Sequence, residues 1–439
     1  MKKKIDIGGT FATVFVLLAS VFGCAREDDT GPPAETTASV RVSSTAAPHD
    51  GLIYGRVVTD GGAVHEGRLR WGGDEEALWS NYFNGFKPEN PWLAHAPGEQ
   101  LPKERVSIDI AGIEVVGWDH RLDLGRPFMA RFGDIARIDG RERDLLVTLK
   151  SGTEFDLDRF GADDLADGVR VWDGEGGFVD IGEWRIRTIE FLPNPGPAAD
   201  LQLLHGTVRT PQGDFTGLVQ WNRRQCVGSD ELTGHTSDGP LALRFDQLRS
   251  IERLSPNSAR VTLLDGREIA LSGTRDVGDG NNGLYVDDHR YGRVLVSWDA
   301  FERVDFSPGG AGPSYEDFPP GRPLMGTVVT RSGRHLAGRL VYDLDESETT
   351  ETLDAPSRGV AYTIPFAFIA SIAPAHLEDP SARGATVTLR TGEELRLERD
   401  GDLSAINAGM LIFIEGRERP EYVPWADVER IDLDPARPL

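Results

Sequence analysis

From residue 51 onward, apolar and polar residues alternate in short runs broken by glycine, and the breaks recur. Gly55-Arg56-Val57-Val58-Thr59, followed by Gly62, Gly67, Leu69 and Trp71, returns as Gly206-Thr207-Val208-Arg209-Thr210 with Gly213, Gly217, Val219 and Trp221. It returns again as Gly326-Thr327-Val328-Val329-Thr330 with Gly333, Gly338, Leu340 and Tyr342. Alternation of this period is the pattern of a half-buried strand, in which successive side chains point to opposite faces. A second marker follows each time: Val147-Thr148-Leu149 with Gly152 and Leu157, Val261-Thr262-Leu263 with Gly266 and Leu271, Val387-Thr388-Leu389 with Gly392 and Leu397. It predicts a strand, a tight turn and a strand, with glycine supplying the positive φ of the turn.

A third signal closes each half of a repeat: an aromatic residue, then apolar residues three and six places on. It is carried by Phe132, Phe245, Trp298, Phe366 and Trp425, each spaced to predict one helical or 3₁₀ turn leading into a strand. The sixth copy deviates, with Glu183 at the aromatic position and Trp184 one place late, before Ile186 and Ile189. The pattern predicts an all-β chain of three tandem units, 51–192, 204–307 and 323–434, each made of two similar halves.

The half-units resemble small barrels of the SH3-like or Sm-like kind, most closely from Val261-Thr262-Leu263-Leu264-Asp265-Gly266 through Gly273, Asp276, Asn281 and Leu284 to Gly292, Val294, Phe301 and Val304. The resemblance implies three pairs of small barrels in a row. The tandem arrangement is also similar to that of bacterial envelope lipoproteins with such repeats. A six-bladed β-propeller is the alternative architecture.

The amino-terminal end reads as an export signal spanning 1–23: Lys2, Lys3 and Lys4, then the apolar run Phe11–Phe22, too short to span a bilayer as a helix. Val21-Phe22-Gly23-Cys24 resembles a lipobox, which implies acylation of Cys24, and 24–50 reads as a flexible tether. The expected location is therefore the cell envelope, lipid-anchored at the outer membrane or periplasmic face if the cell is Gram-negative. With Cys24 lipidated, the one other cysteine, Cys226, has no disulfide partner. It falls in a polar stretch that reads as an exposed thiol.

Seventy-one acidic against 47 basic residues give a net charge of −24, which repels phosphate backbones and disfavours nucleic acid as a partner. No nucleophile elbow, phosphate loop, paired zinc histidines or CxxC pair occurs, so no catalytic residues and no cofactor are expected. Asp276, Asp279 and Asn281 offer oxygen ligands to a metal, although Asp and Asn also close turns on their own backbone.

The informative departure is an insertion in the first unit, 72–128, which sets its two markers 92 residues apart from Gly55 to Val147. Its aromatic residues Trp79, Tyr82, Phe83 and Trp92 are candidates for a ligand or partner surface. At helical spacing, Trp79, Tyr82, Phe83 and Phe86 would instead pack an added helix. The expected function is a non-catalytic, lipid-anchored scaffold or interaction module for an envelope protein or polysaccharide. A carbohydrate-binding module with a platform of Trp79, Tyr82 and Trp92 is the alternative, and a hydrolase using carboxylates of the insertion is a third reading.

Overall fold

The computed structural model describes residues 2–6, 51–72, 75–101, 103–110, 113–121, 126–161, 163–166, 168–172, 177–195, 202–308, 312–375 and 384–435, with backbone alone at 2–6, 103–110, 113–121, 163 and 164. The chain is all-β, 54% strand and 10% helical. Two units are distinguished: Met1–Ala46 with Glu104–His120, and Ala47–Lys103 with Arg121–Leu439. In the first, Lys2–Asp6 pairs in parallel with Lys103–Ile110, which adjoins Ile113–Arg121. Among the described residues, no helix is long and apolar enough to cross a membrane.

The larger unit contains three principal sheets. The first runs, from edge to edge, Glu154–Asp158, Asp144–Leu149, Ile135–Gly140, Ile186–Phe191, Tyr54–Thr59, Val64–Trp71, Val169–Trp172 and Val179–Ile181. The third has the same strand order, from Glu394–Leu397 at one edge to Glu421–Val423 at the other. The middle sheet has twelve strands and contains the same run of eight, from Glu268–Ser272 to Gly292–Val296, with a hairpin added at each end. The turn glycines expected from the second marker, Gly152, Gly266 and Gly392, have φ of 85°, 89° and 89°. A Cβ there would meet the carbonyl of its own residue, which is why no other residue type serves as well.

The pairing corrects two expectations. No sheet closes into a barrel, and the two halves of a repeat are not separate modules. Ile135–Gly140, which ends the first half, lies between Asp144–Leu149 and Ile186–Phe191 of the second, so each half lends the other its central strands. A six-bladed propeller, with six separate four-stranded blades, is excluded by the same continuous sheets.

Nor are the three segments beads in a row, because each touches both others. Ser80 Oγ donates to Gln220 Oε1 at 2.6 Å, and Lys87 Nζ lies 2.5 Å from Asp345 Oδ1. Between middle and third segments the contact is a β-ladder, with Val294 opposite Tyr362 and Val296 opposite Val360. One apolar core accordingly runs from Leu204 to Leu433, and a second, built on the first sheet, takes in Leu218, Cys226 and Val227 of the middle segment. Contact of the first segment with the third was invisible to a pattern search, since it depends on which edge each hairpin reaches.

Candidate functional site: an aromatic and arginine face on the first sheet

The aromatic insertion lies mostly inside. Instead of a helix, Tyr82–Lys87 is a strand paired with Arg126–Arg131. Trp79, Tyr82 and Phe83 are buried. Phe83 meets Trp71 edge-on at 5.5 Å between ring centroids and also packs on Phe128 and Phe132. Tyr82 lies beneath the Arg293 guanidinium at 4.1 Å. Trp92 is half-buried, on a 3₁₀ turn capped by Asn90, and packs on Phe413 of the third segment at 6.0 Å. The platform of Trp79, Tyr82 and Trp92 needed for sugar stacking is therefore corrected: these rings fill a core and a seam, where apolar burial is worth more than exposure.

The other sequence candidates also resolve into structure. Both oxygens of Asp276 are used: Oδ2 accepts from Thr233 N and Oγ1 at 2.8 and 2.6 Å, and Oδ1 from Asn222 Nδ2 at 3.2 Å. Asn281 Nδ2 donates to Asp276 O at 3.0 Å, and its Oδ1 accepts from Gly283 N, whereas Asp279 is exposed. The same arrangement recurs at Asp402, Asn407 and Gly409. Both loops hold the end of a neighbouring strand, where Trp221 Nε1 donates to Asp276 O and Tyr342 Oη to Asp402 O. Among the described residues no cluster of three or more His, Cys, Asp or Glu is disposed to hold a metal.

Cys226 is buried, not exposed, with Sγ 3.9 Å from Glu76 Oε1, and burial pushes its thiol well above the usual range. Cys24, the export segment beyond residue 6 and the tether lie outside the described residues. Of the insertion's carboxylates, Glu76 is buried between Arg68 and Arg70, and burial raises its pKa.

What the pattern search missed lies at the far edge of the first sheet. Val169–Trp172 pairs with Val64–Trp71 on one side and with Val179–Ile181 on the other. Strand alternation sends Val169, Val171 and Ile181 into the core and puts Arg70, Arg170, Trp172 and Asp180 on the outer face. There the Arg68 guanidinium covers the Trp172 ring at 4.1 Å, and that of Arg170 covers Phe178, also at 4.1 Å. A second pair of rings lies where the turn Glu183–Arg185 meets the residues that follow the opposite edge strand, Glu154–Asp158: Arg159 lies over Trp184 at 4.6 Å, with Phe160 beside it at 5.8 Å. Phe160, Trp184 and Phe178 are 67%, 55% and 54% exposed, although large rings are ordinarily sequestered.

The displaced closer explains Trp184. Where the aromatic stands in its regular place, as in Phe132, Phe245, Trp298, Phe366 and Trp425, the ring is buried. In the turn Glu183–Arg185, the residue at that place is Glu183, and moving the ring one position along turns it outward. This shift was the one legible sign of the surface in the sequence.

Electrostatics frame the rings. Arg170 grips Asp180 with two hydrogen bonds, 2.7 and 3.0 Å, which hold that carboxyl below its usual range. Arg159 is anchored by donating Nη1 to Arg141 O at 2.8 Å. A cleft of about 430 Å³ opens beside the edge strand, lined by Arg70, Arg170, Asp180 and the glycines 72, 168 and 182. Arg68 Nε and Arg70 Nε are buried, and Arg68 Nε and Arg70 Nη2 lie 3.8 and 3.6 Å from the Glu76 carboxylate. Flat rings held by cations can bind a partner by stacking and cation–π contact. No family model matches this chain, and neither a curated protein nor a solved structure does.

Proposed function

We propose that the protein is a non-catalytic, lipid-anchored envelope protein that holds another envelope protein through the aromatic and arginine face of its first sheet. The observation that carries this reading is the exposure of Phe160, Trp184 and Phe178 within a set of arginines on a chain whose net charge is −24. Trp and Arg are the residues that dominate binding energy at interfaces, because each presents a large, nearly rigid contact area with a polar or charged tip. A local cationic rim on an acidic body orients an acidic partner and repels the rest. Exported location and acylation of Cys24 are supported by the tri-lysine start, the apolar run and the lipobox-like Val21–Cys24.

The test is capture from solubilised envelope by the full chain and by Trp184→Ala and Phe178→Ala. Both variants should lose the captured partner while melting at the temperature of the parent, since neither ring supports the core. Unchanged capture would refute the assignment of the surface. Mass spectrometry of the amino terminus, with Cys24→Ser as control, checks the anchor.

A further inference from the structure

The eight-stranded run occurs three times, and its outer edge is treated differently each time. In the middle sheet, Gly292–Val296 is completed by Val360–Pro365 from the third segment, and Ser297 N donates to Gly359 O at 3.0 Å. In the third sheet, Glu421–Val423 is followed by Pro424, which has no N–H, and Tyr422 packs against the cluster of Val341, Leu344, Ala408 and Leu411 on which Trp92, Leu93 and Leu101 also pack. In the first sheet, Val179–Ile181 ends the strand order, and among the described residues nothing pairs with its outer side. The residue corresponding to Ser297 and Pro424 is Gly182, exposed, with no atom within 4 Å of where its Cβ would stand.

Backbone groups alternate along a strand, so the side to which Ser297 N points is also that of Leu295. The matching positions at the first edge are Gly182 and Asp180, whose outward N–H groups, with the C=O of Asp180, are thus available for a ladder, while the C=O of Gly182 closes its own turn by accepting from Arg185 N at 2.9 Å, as that of Ser297 does from Ala300 N at 3.1 Å. Side-chain burial agrees. Val294 is fully covered by the added strand, whereas its counterpart Val179 is partly exposed. Two copies of this chain would be poor mutual partners, because an antiparallel pairing centred on Asp180 sets carboxylate against carboxylate.

We propose that this edge binds an extended segment of another protein by strand addition, the segment being apolar at two alternate positions that cover Val179 and Ile181 and acidic on its flanks. The proposal rests on the surface reading above and specifies its mode. Main-chain hydrogen bonds would supply much of the affinity and the apolar alternation the register. The flanking carboxylates answer to Arg70 and Arg170 at the cleft and to the exposed Arg185 and Arg187.

The probe is a capped peptide in which the sequence Val360–Ile364, the strand that fills the corresponding edge, is flanked by two glutamates on each side. Its comparator carries lysines instead. On the full chain, the glutamate peptide should bind, slow amide exchange at Asp180 and Gly182, and outcompete the lysine peptide at least roughly tenfold. Gly182→Pro should weaken binding by about tenfold or more without lowering the melting temperature. Gly182 has φ −66° and ψ 150°, and Pro424 occupies the equivalent position at −58° and 146°, so the ring fits. Binding unaffected by Gly182→Pro, or no binding at about 1 mM, would overturn strand addition. That failure is separable from failure of the surface itself, which is read by the Trp184→Ala capture.

Discussion

Asp345→Ala tests whether the three segments fold as one body. Asp345 belongs to the third segment, yet its carboxylate is held by Lys87 and Arg126 from the hairpin inserted in the first. The three side chains are 13%, 6% and 7% exposed, so the triad is out of bulk water. Removing the shared anion strands two cations, and breaking a buried pair costs about 3–5 kcal/mol. Glu351 lies near enough to Lys87 for that cation to pull its pKa down against burial, and would take over part of the pairing. We therefore expect the lower end, about 3 kcal/mol. For roughly 390 residues unfolding together, at ~2.1 cal/mol/K per residue, the entropy at the midpoint is about 0.8 kcal/mol/K, which converts the loss into a fall of about 4 °C. Scanning calorimetry should show a single transition moved by that amount. A melting profile with separate transitions, of which the variant moves one, would refute the single-body reasoning, and so would an unchanged midpoint.

Three further outcomes follow from buried carboxylates. Asp276→Ala removes the acceptor of bonds from Thr233 and Asn222, and should cost about 3 kcal/mol. Added Ca²⁺ or a chelator should leave the parent's melting temperature unchanged, since these oxygens are already spent within the fold. Burial pushes Asp402 up to about 8, and also raises Asp343 and Glu346 beside it. The folded state then keeps a proton that an unfolded carboxyl, near 4, gives up, so this contribution to stability is full below about pH 4 and is lost as pH rises towards about 8. Asp402→Asn should therefore gain stability over the parent as pH increases across that window, measured by denaturant midpoints, whereas a constant difference would count against the assignment.

How much could be read beforehand differs by level. Alternation, the turn glycines and the closing aromatics are local properties: Val147-Thr148-Leu149 to Gly152 specifies a strand and a turn wherever it folds. Such features determine an all-β chain and most of its buried positions. Edges are another matter, because Gly292–Val296 and Val179–Ile181 hold the same place in their sheets, yet one is covered by a strand more than sixty positions away and the other is not. Burial of Trp79, Tyr82 and Phe83 was undecided for the same reason, since an aromatic run is equally suited to a groove or a core until the opposing surface is known. Trp184 is the intermediate case, a one-residue displacement legible in the chain but without meaning until the turn showed which way it faces. Sequence alone determined the strands and turns of the repeated markers, but not the strand Tyr82–Lys87 of the insertion. Tertiary structure decided which strands meet, because pairing partners and burial depend on contacts between segments distant along the chain.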